Sequence, residues 1–191
     1  MLKARKPSFV SIAVTVILLL SSFAQAFAAE FIADLYQERT GSISSGRVFD
    51  KGHLMRKEVL HAGLVTISIH DLEKGTTWIL NAKARTYAEV PSKLEEHPVL
   101  IAEKWQAMGD SQKVGTGRFE GYQSDIFRFE QKKTPDGPLV LWVAKDLDFP
   151  VRMELPEKLY LQEYKNIQER TIPAMTFSIH PGYRRVKAPG R

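Results

Sequence analysis

The sequence predicts a mainly β protein with minor α content: one curved antiparallel sheet with a helix over its concave face. Three observations predict this. Short apolar or alternating segments recur between turn residues, the stretch Thr66-Ile67-Ser68-Ile69-His70 alternates strictly, and Ser92 to Met108 alone switches to helical spacing. About ten strands in one sheet argue that it curls, because so wide a sheet rarely stays flat and open.

In chain order, Phe31 to Arg39 is the first strand and the Ser- and Gly-rich run from Gly41 to Gly46 a turn or short loop. Arg47 to Asp50 and Leu54 to Leu60 flank Lys51-Gly52 as a hairpin. Thr66 to His70 places Ile67 and Ile69 on one face and three polar residues on the other, so one side of the sheet is expected to be wet. Thr76 to Leu80 and Thr86 to Val90 follow. In Ser92 to Met108, the residues Leu94, Pro98, Ile101, Trp105 and Met108 form one helical stripe, with Pro98 in the first turn and Gly109 as the stop. Strands resume with Lys113 to Phe119 and Gln123 to Glu130 around Glu120-Gly121-Tyr122. Leu139 to Ala144 and Val151 to Leu155 flank the loop Lys145 to Pro150, and Leu159 to Ile167 is the last long strand.

The N-terminus reads as an export signal. Lys3, Arg5 and Lys6 precede an apolar run from Phe9 to Leu20, and Ala24-Gln25-Ala26 and Ala26-Phe27-Ala28 both present small residues for cleavage. Residues 1–26 are therefore expected to be a signal peptide, cleaved after Ala26 or Ala28, and 27–191 a single domain. An uncleaved signal anchor is the alternative, though the run is short for a ~30 Å hydrocarbon core. The expected location is periplasmic. The chain has no cysteine, so neither disulfides nor a lipid anchor on cysteine are available, and stability must come from the core. The leader holds three of the 27 Lys and Arg, leaving 24 against 22 Asp and Glu. That balance, without a cluster of bases and aromatics, argues against nucleic acid as a partner.

Candidate chemistry is sparse. His53, His61, His70, His97 and His180 show no metal-ligand spacing. Asp71 and Glu73, and Asp146 and Asp148, fall in predicted turns, where Asp serves its own backbone. Ser44-Ser45-Gly46 lacks the flanking glycines of a nucleophile elbow. Gly115-Thr116-Gly117 fits a bulge or bend in a strand better than a phosphate loop. The reading is a non-enzymatic protein with no catalytic residues, metal or cofactor. What stands out is a set of large, adaptable side chains: Met55, Trp78, Tyr87, Trp105, Phe127, Phe129, Trp142, Met153 and Met175. A curved sheet whose inner face is not fully filled could hold an apolar ligand among them.

The pattern resembles the LolA-type family of periplasmic lipoprotein carriers and its lipoprotein-sorting-like exported subgroup. The resemblance lies in GRVFDKGHLMRKE (Gly46 to Glu58), DLEKGTTWILNAKARTYAEVP (Asp71 to Pro91), Gly115 to Asp125 with LWVAKDLDFPVRM (Leu141 to Met153), and the ending FSIHPGY (Phe177 to Tyr183). It spans nearly all of 27–191. Two features depart from it: a strand rather than a helix opens the domain, and Lys51-Gly52-His53 stands where the family has an arginine followed by proline. The resemblance implies a half-open barrel and a monomer that binds a lipid, an acyl chain or lipoprotein acyl chains. The ligand-binding residues expected are Met55, Trp78, Tyr87, Phe127, Phe129, Trp142 and Met153 in the cavity, with Ile101, Trp105 and Met108 on the lid helix. The alternative is a sensor or adaptor that binds a membrane-associated protein partner with the same fold. An envelope hydrolase, a third class, finds no support in the residue survey. N-terminal sequencing of the exported chain is expected to begin at Phe27 or Ala29; Met1 in a membrane fraction would contradict the signal-peptide reading.

Overall fold

The computed structural model describes residues 30–92, 111–130 and 137–188. The leader lies outside them, and so does all of the expected helix after Ser92, including Ile101, Trp105 and Met108. The described strands are β1 (Phe31–Arg39), β2 (Ser42–Lys51), β3 (Leu54–His61), β4 (Leu64–Asp71), β5 (Thr76–Asn81), β6 (Thr86–Pro91), β7 (Ser111–Phe119), β8 (Tyr122–Phe129), β9 (Leu139–Ala144), β10 (Phe149–Leu155), β11 (Tyr160–Glu169) and β12 (Arg184–Arg185). All twelve belong to one open, curved sheet in the order β12-β6-β5-β4-β3-β2-β1-β11-β10-β9-β8-β7. Only the pairing of β12 with β6 is parallel. The order contains two antiparallel meanders, β1 to β6 and β7 to β11, joined where β1 pairs with β11.

Turn chemistry explains the hairpins. Thr40-Gly41, Ala62-Gly63 and Glu120-Gly121 all have positive φ at both positions, with the non-glycine residue at 48° in each. This is the two-residue turn whose twist matches that of paired strands. The expected loop from Gly41 to Gly46 is accordingly replaced: the turn is complete at Gly41, and Ser42 to Gly46 belong to β2. The expected bend at Gly115 is a bulge, where the register of β7 against β8 shifts between Lys113 and Gly115. Similar shifts lie between Ile32 and Asp34 and between Pro150 and Arg152. Such insertions increase local twist and help a wide sheet to curve.

Both faces of the sheet are packed. On one face Phe31, Ala33, Leu35, Val48, Met55 and Tyr164 form a core with Phe149 and Val151. Phe149 meets Phe31 and Tyr164 edge-on, with centroids 4.9 and 5.2 Å apart. On the other face Ile67, Ile69 and Leu80 are covered by the C-terminal segment through Ile172 and Phe177. The alternation at Thr66 to His70 thus correctly directs Ile67 and Ile69 to a core. The opposite side is not simply wet, however, because His70 is only 3% exposed.

Close strand approach at Gly46 allows a direct test. A β-carbon there would stand 2.0 Å from the Glu58 carbonyl oxygen, whereas at Gly115 the nearest atom would be 4.0 Å away. Gly46→Ala is expected to cost about 1–3 kcal/mol by displacing β3, and Gly115→Ala to change stability by less than about 0.5 kcal/mol. Denaturant titration of the two variants checks the contrast.

Candidate functional site

The face that carries Met55 holds a buried polar group. Register places Phe31 opposite Asp50, Asp50 opposite Met55, Met55 opposite His70, and His70 opposite Thr77. Asp50, His70 and Thr77 are each at most 3% exposed. His70 Nδ1 lies 3.0 Å from Thr77 Oγ1, which in turn lies 2.9 Å from Ser92 Oγ, and His70 Nε2 is 3.0 Å from Ser68 Oγ. Burial, with the nearby Lys57 charge, lowers the His70 pKa to about 3. The imidazole is therefore neutral near pH 7, yet too weakly basic to remove the Ser68 proton efficiently. Burial pushes Asp50 up to about 8, although Gly52 N–H donates to its Oδ1 at 3.2 Å and Lys57 also favours the ionised form.

Farther along the same face, an apolar row crosses three strands. Phe127 pairs with Leu141 and Leu141 with Met153; Phe129 pairs with Leu139. Phe129, Leu139, Leu141 and Met153 are buried, while Phe127, Val143, Leu155 and Tyr160 around them are partly open. The row meets the first core through a hydrogen-bonded chain: Gln37 Nε2 donates to Gln162 Oε1 at 2.7 Å, and Gln162 Nε2 to the Tyr164 hydroxyl at 2.8 Å. This partly open apolar row suits an alkyl chain better than a polar substrate.

The residues expected to share one cavity are distributed over three clusters. Phe127, Phe129 and Met153 come together in the apolar row. Met55 is fully enclosed in the first core, and Trp142 packs at that core's margin with Arg152 over its ring at 5.8 Å. Trp78 and Tyr87 belong to the opposite face, against the cluster containing Ile172 and Phe177. Met175 is 78% exposed and packs in none of the three clusters. Aromatic identity did not reveal these differences; strand parity and register assign the faces. Leu139, Leu141 and Leu155 escaped the sequence reading because ordinary leucines carry no distinguishing mark. Asp50 escaped it, and His70 was expected on the wet side of its strand, because burial of a polar strand residue depends on distant segments.

Two shallow grooves lie elsewhere. One, of about 480 Å³, runs past Asp34, Tyr36, Ser45, Leu60, Lys165 and Asn166. The other, of about 420 Å³, lies between Phe49, Arg56 and Glu58 and the segment Met175 to Pro181. Arg56 donates from Nε to Glu58 Oε1 at 2.8 Å and from Nη1 to the Thr176 carbonyl at 3.2 Å, fastening that segment to the sheet. Asp71 serves its own turn, accepting from Lys74 N–H at 3.0 Å. Among the described residues no three histidines or carboxylates gather as a metal site.

The buried pair has opposing pH signatures. His70 is neutral in the folded state, so its contribution is complete above the ordinary histidine pKa near 6.5 and is lost as pH falls toward 3. Asp50 is protonated in the folded state, so its contribution is complete below the ordinary value near 3.8 and is lost as pH rises through about 8. Between about pH 4 and 6.5 the two slopes largely cancel; between 6.5 and 8 Asp50 alone lowers stability with rising pH. Asp50→Asn is expected to remove a slope of up to about 1.4 kcal/mol per pH unit in that upper window. His70→Gln should unmask the Asp50 slope between about pH 4 and 6.5, so that stability rises as pH falls where that of the parent is nearly flat. Denaturation midpoints across pH check both signs.

Comparison with solved structures shows where this architecture recurs. An uncharacterized conserved protein from Thermus thermophilus aligns at a TM-score of 0.60 and 12% identity, over 86% of this chain and 93% of its own. MucB, in the Pseudomonas aeruginosa MucA/MucB complex, aligns at a TM-score of 0.56 and 17% identity over 85% of this chain and 60% of its own. This chain therefore spans less than two thirds of that relative's length. No protein-family model and no curated protein matches the sequence. A LolA superfamily protein, NE2245, from Nitrosomonas europaea aligns at a TM-score of 0.41 and 10% identity, over 79% of this chain and 90% of its own.

Proposed function

We propose that this chain is an exported, non-enzymatic binding protein of the cell envelope that holds a lipid, an acyl chain or another apolar ligand on the face bearing Phe127. The observation that carries this reading is the row Phe127–Leu141–Met153, bordered by the partly open Val143, Leu155 and Tyr160. Continuous apolar side chains from adjacent strands offer dispersion contacts along a chain without requiring a polar anchor.

A second reading is an adaptor for a protein partner. It is supported by the fold shared with MucB, which was solved in complex with MucA, and by the groove beside Arg56, where an extended segment could lie next to Met175 and Pro181.

Displacement of a fluorescent fatty acid separates the readings. Phe127→Asp puts a charge into the apolar row at a partly open position, and is expected to weaken binding at least tenfold while Met175→Asp leaves it unchanged. A parent chain that binds no fatty acid, and from which mass spectrometry recovers no copurifying lipid, would overturn the ligand-carrier proposal.

A further inference from the structure

We infer that the rim of the sheet formed by the β1–β2, β3–β4 and β5–β6 turns and the β10–β11 connection docks on an anionic lipid bilayer. This surface is separate from the proposed ligand face, and the inference does not depend on what that face holds.

The antiparallel order brings these four connections to one end of neighbouring strands. Thr40 N–H donates to the Leu159 carbonyl at 2.9 Å, tying the first turn to the last connection. Of the nine large apolar side chains that the described residues leave exposed, five lie here: Ile43 at 59%, Leu60 at 47%, Leu64 at 73%, Val65 at 55% and Leu159 at 66%. Their concentration at turns distinguishes them from isolated surface residues. Register puts Leu60 opposite both Ser45 and Val65, and Ile43 two residues before Ser45, so Ile43, Leu60 and Val65 share one face.

The charges beside them select the partner. Arg39, Lys83, Arg85 and Lys158 are exposed along these turns and their flanks, with Glu157 the one acidic residue in the four connections. Arg39 extends over the Tyr160 ring at 5.7 Å, at the rim itself. Separate apolar tips within a basic collar fit a surface that accepts each tip independently and carries negative charge. Weak insertion and electrostatic attraction together give membrane association that neither supplies alone.

The test uses the full chain with vesicles of phosphatidylethanolamine containing brominated phosphatidylglycerol, whose bromines quench nearby tryptophan. Leu64→Trp places the reporter on the rim, and Met175→Trp places it in the exposed segment above Phe49 and Arg56. Beyond the signal of the parent chain, Leu64→Trp is expected to be quenched at least twofold and Met175→Trp not at all. Combining Leu64→Trp with Lys83→Glu and Arg85→Glu should reduce the vesicle affinity severalfold. Equal quenching at both sites, no quenching at either, or equal quenching by brominated phosphatidylethanolamine vesicles without phosphatidylglycerol would overturn the inference. So would a concentration-dependent dimer without lipid that Leu64→Asn abolishes, since it would assign the rim to a second copy of the chain.

Discussion

Pairing between β1 and β11 is the constraint on which the rest of this molecule depends. Within each meander consecutive strands pair with one another, but the core around Phe31 and Phe149 draws on both meanders. The contact Phe31 to Arg39 against Tyr160 to Glu169 makes them a single sheet and brings residues more than a hundred positions apart into register. Its ladder is reinforced by the Gln37–Gln162 hydrogen bond and by fully buried Tyr164. Such a long closure is entropically unfavourable until the surrounding core forms. The phenylalanines at 31 and 149, packed together across the join, supply apolar contact where this closure occurs.

The two sides of the joined sheet have different chemical characters. The side with Ile67 and Ile69 is closed by the C-terminal segment, with Lys51 donating to the Ile172 carbonyl at 3.2 Å and Arg56 reaching the Thr176 carbonyl. The other side changes along its width from a buried polar group around His70 to the apolar row around Leu141. A buried polar group must satisfy its partners in fixed geometry, whereas an apolar row can repack around another hydrocarbon. This difference is why the partly open row, rather than the polar region, is the better place for an adaptable ligand.

The proposed ligand face and lipid-docking rim are connected by the sheet but use different physical properties. The row combines adjacent side chains from several strands, while the rim presents separated side chains at hairpin tips. Holding a hydrocarbon requires continuity across strands; docking on a bilayer requires exposure at their ends. One curved sheet can provide both because its antiparallel turns place strand ends together without interrupting the packed faces.

By itself, the sequence determined the mainly β class, the Glu120-Gly121 turn, the Gly115 bend and the burial of Ile67 and Ile69. These follow from short-range sterics and from the two-residue period of a strand. The early boundary of β2 was less legible, because serines in a paired strand resemble serines in a loop. Only tertiary structure decided that Met55 is enclosed, that Trp78 and Tyr87 occupy the face opposite Phe127, and that His70 is buried. Each outcome depends on which distant strand or C-terminal segment covers a side chain, and local alternation cannot encode that choice: it distinguishes two faces, whereas packing across the whole chain determines what each face meets.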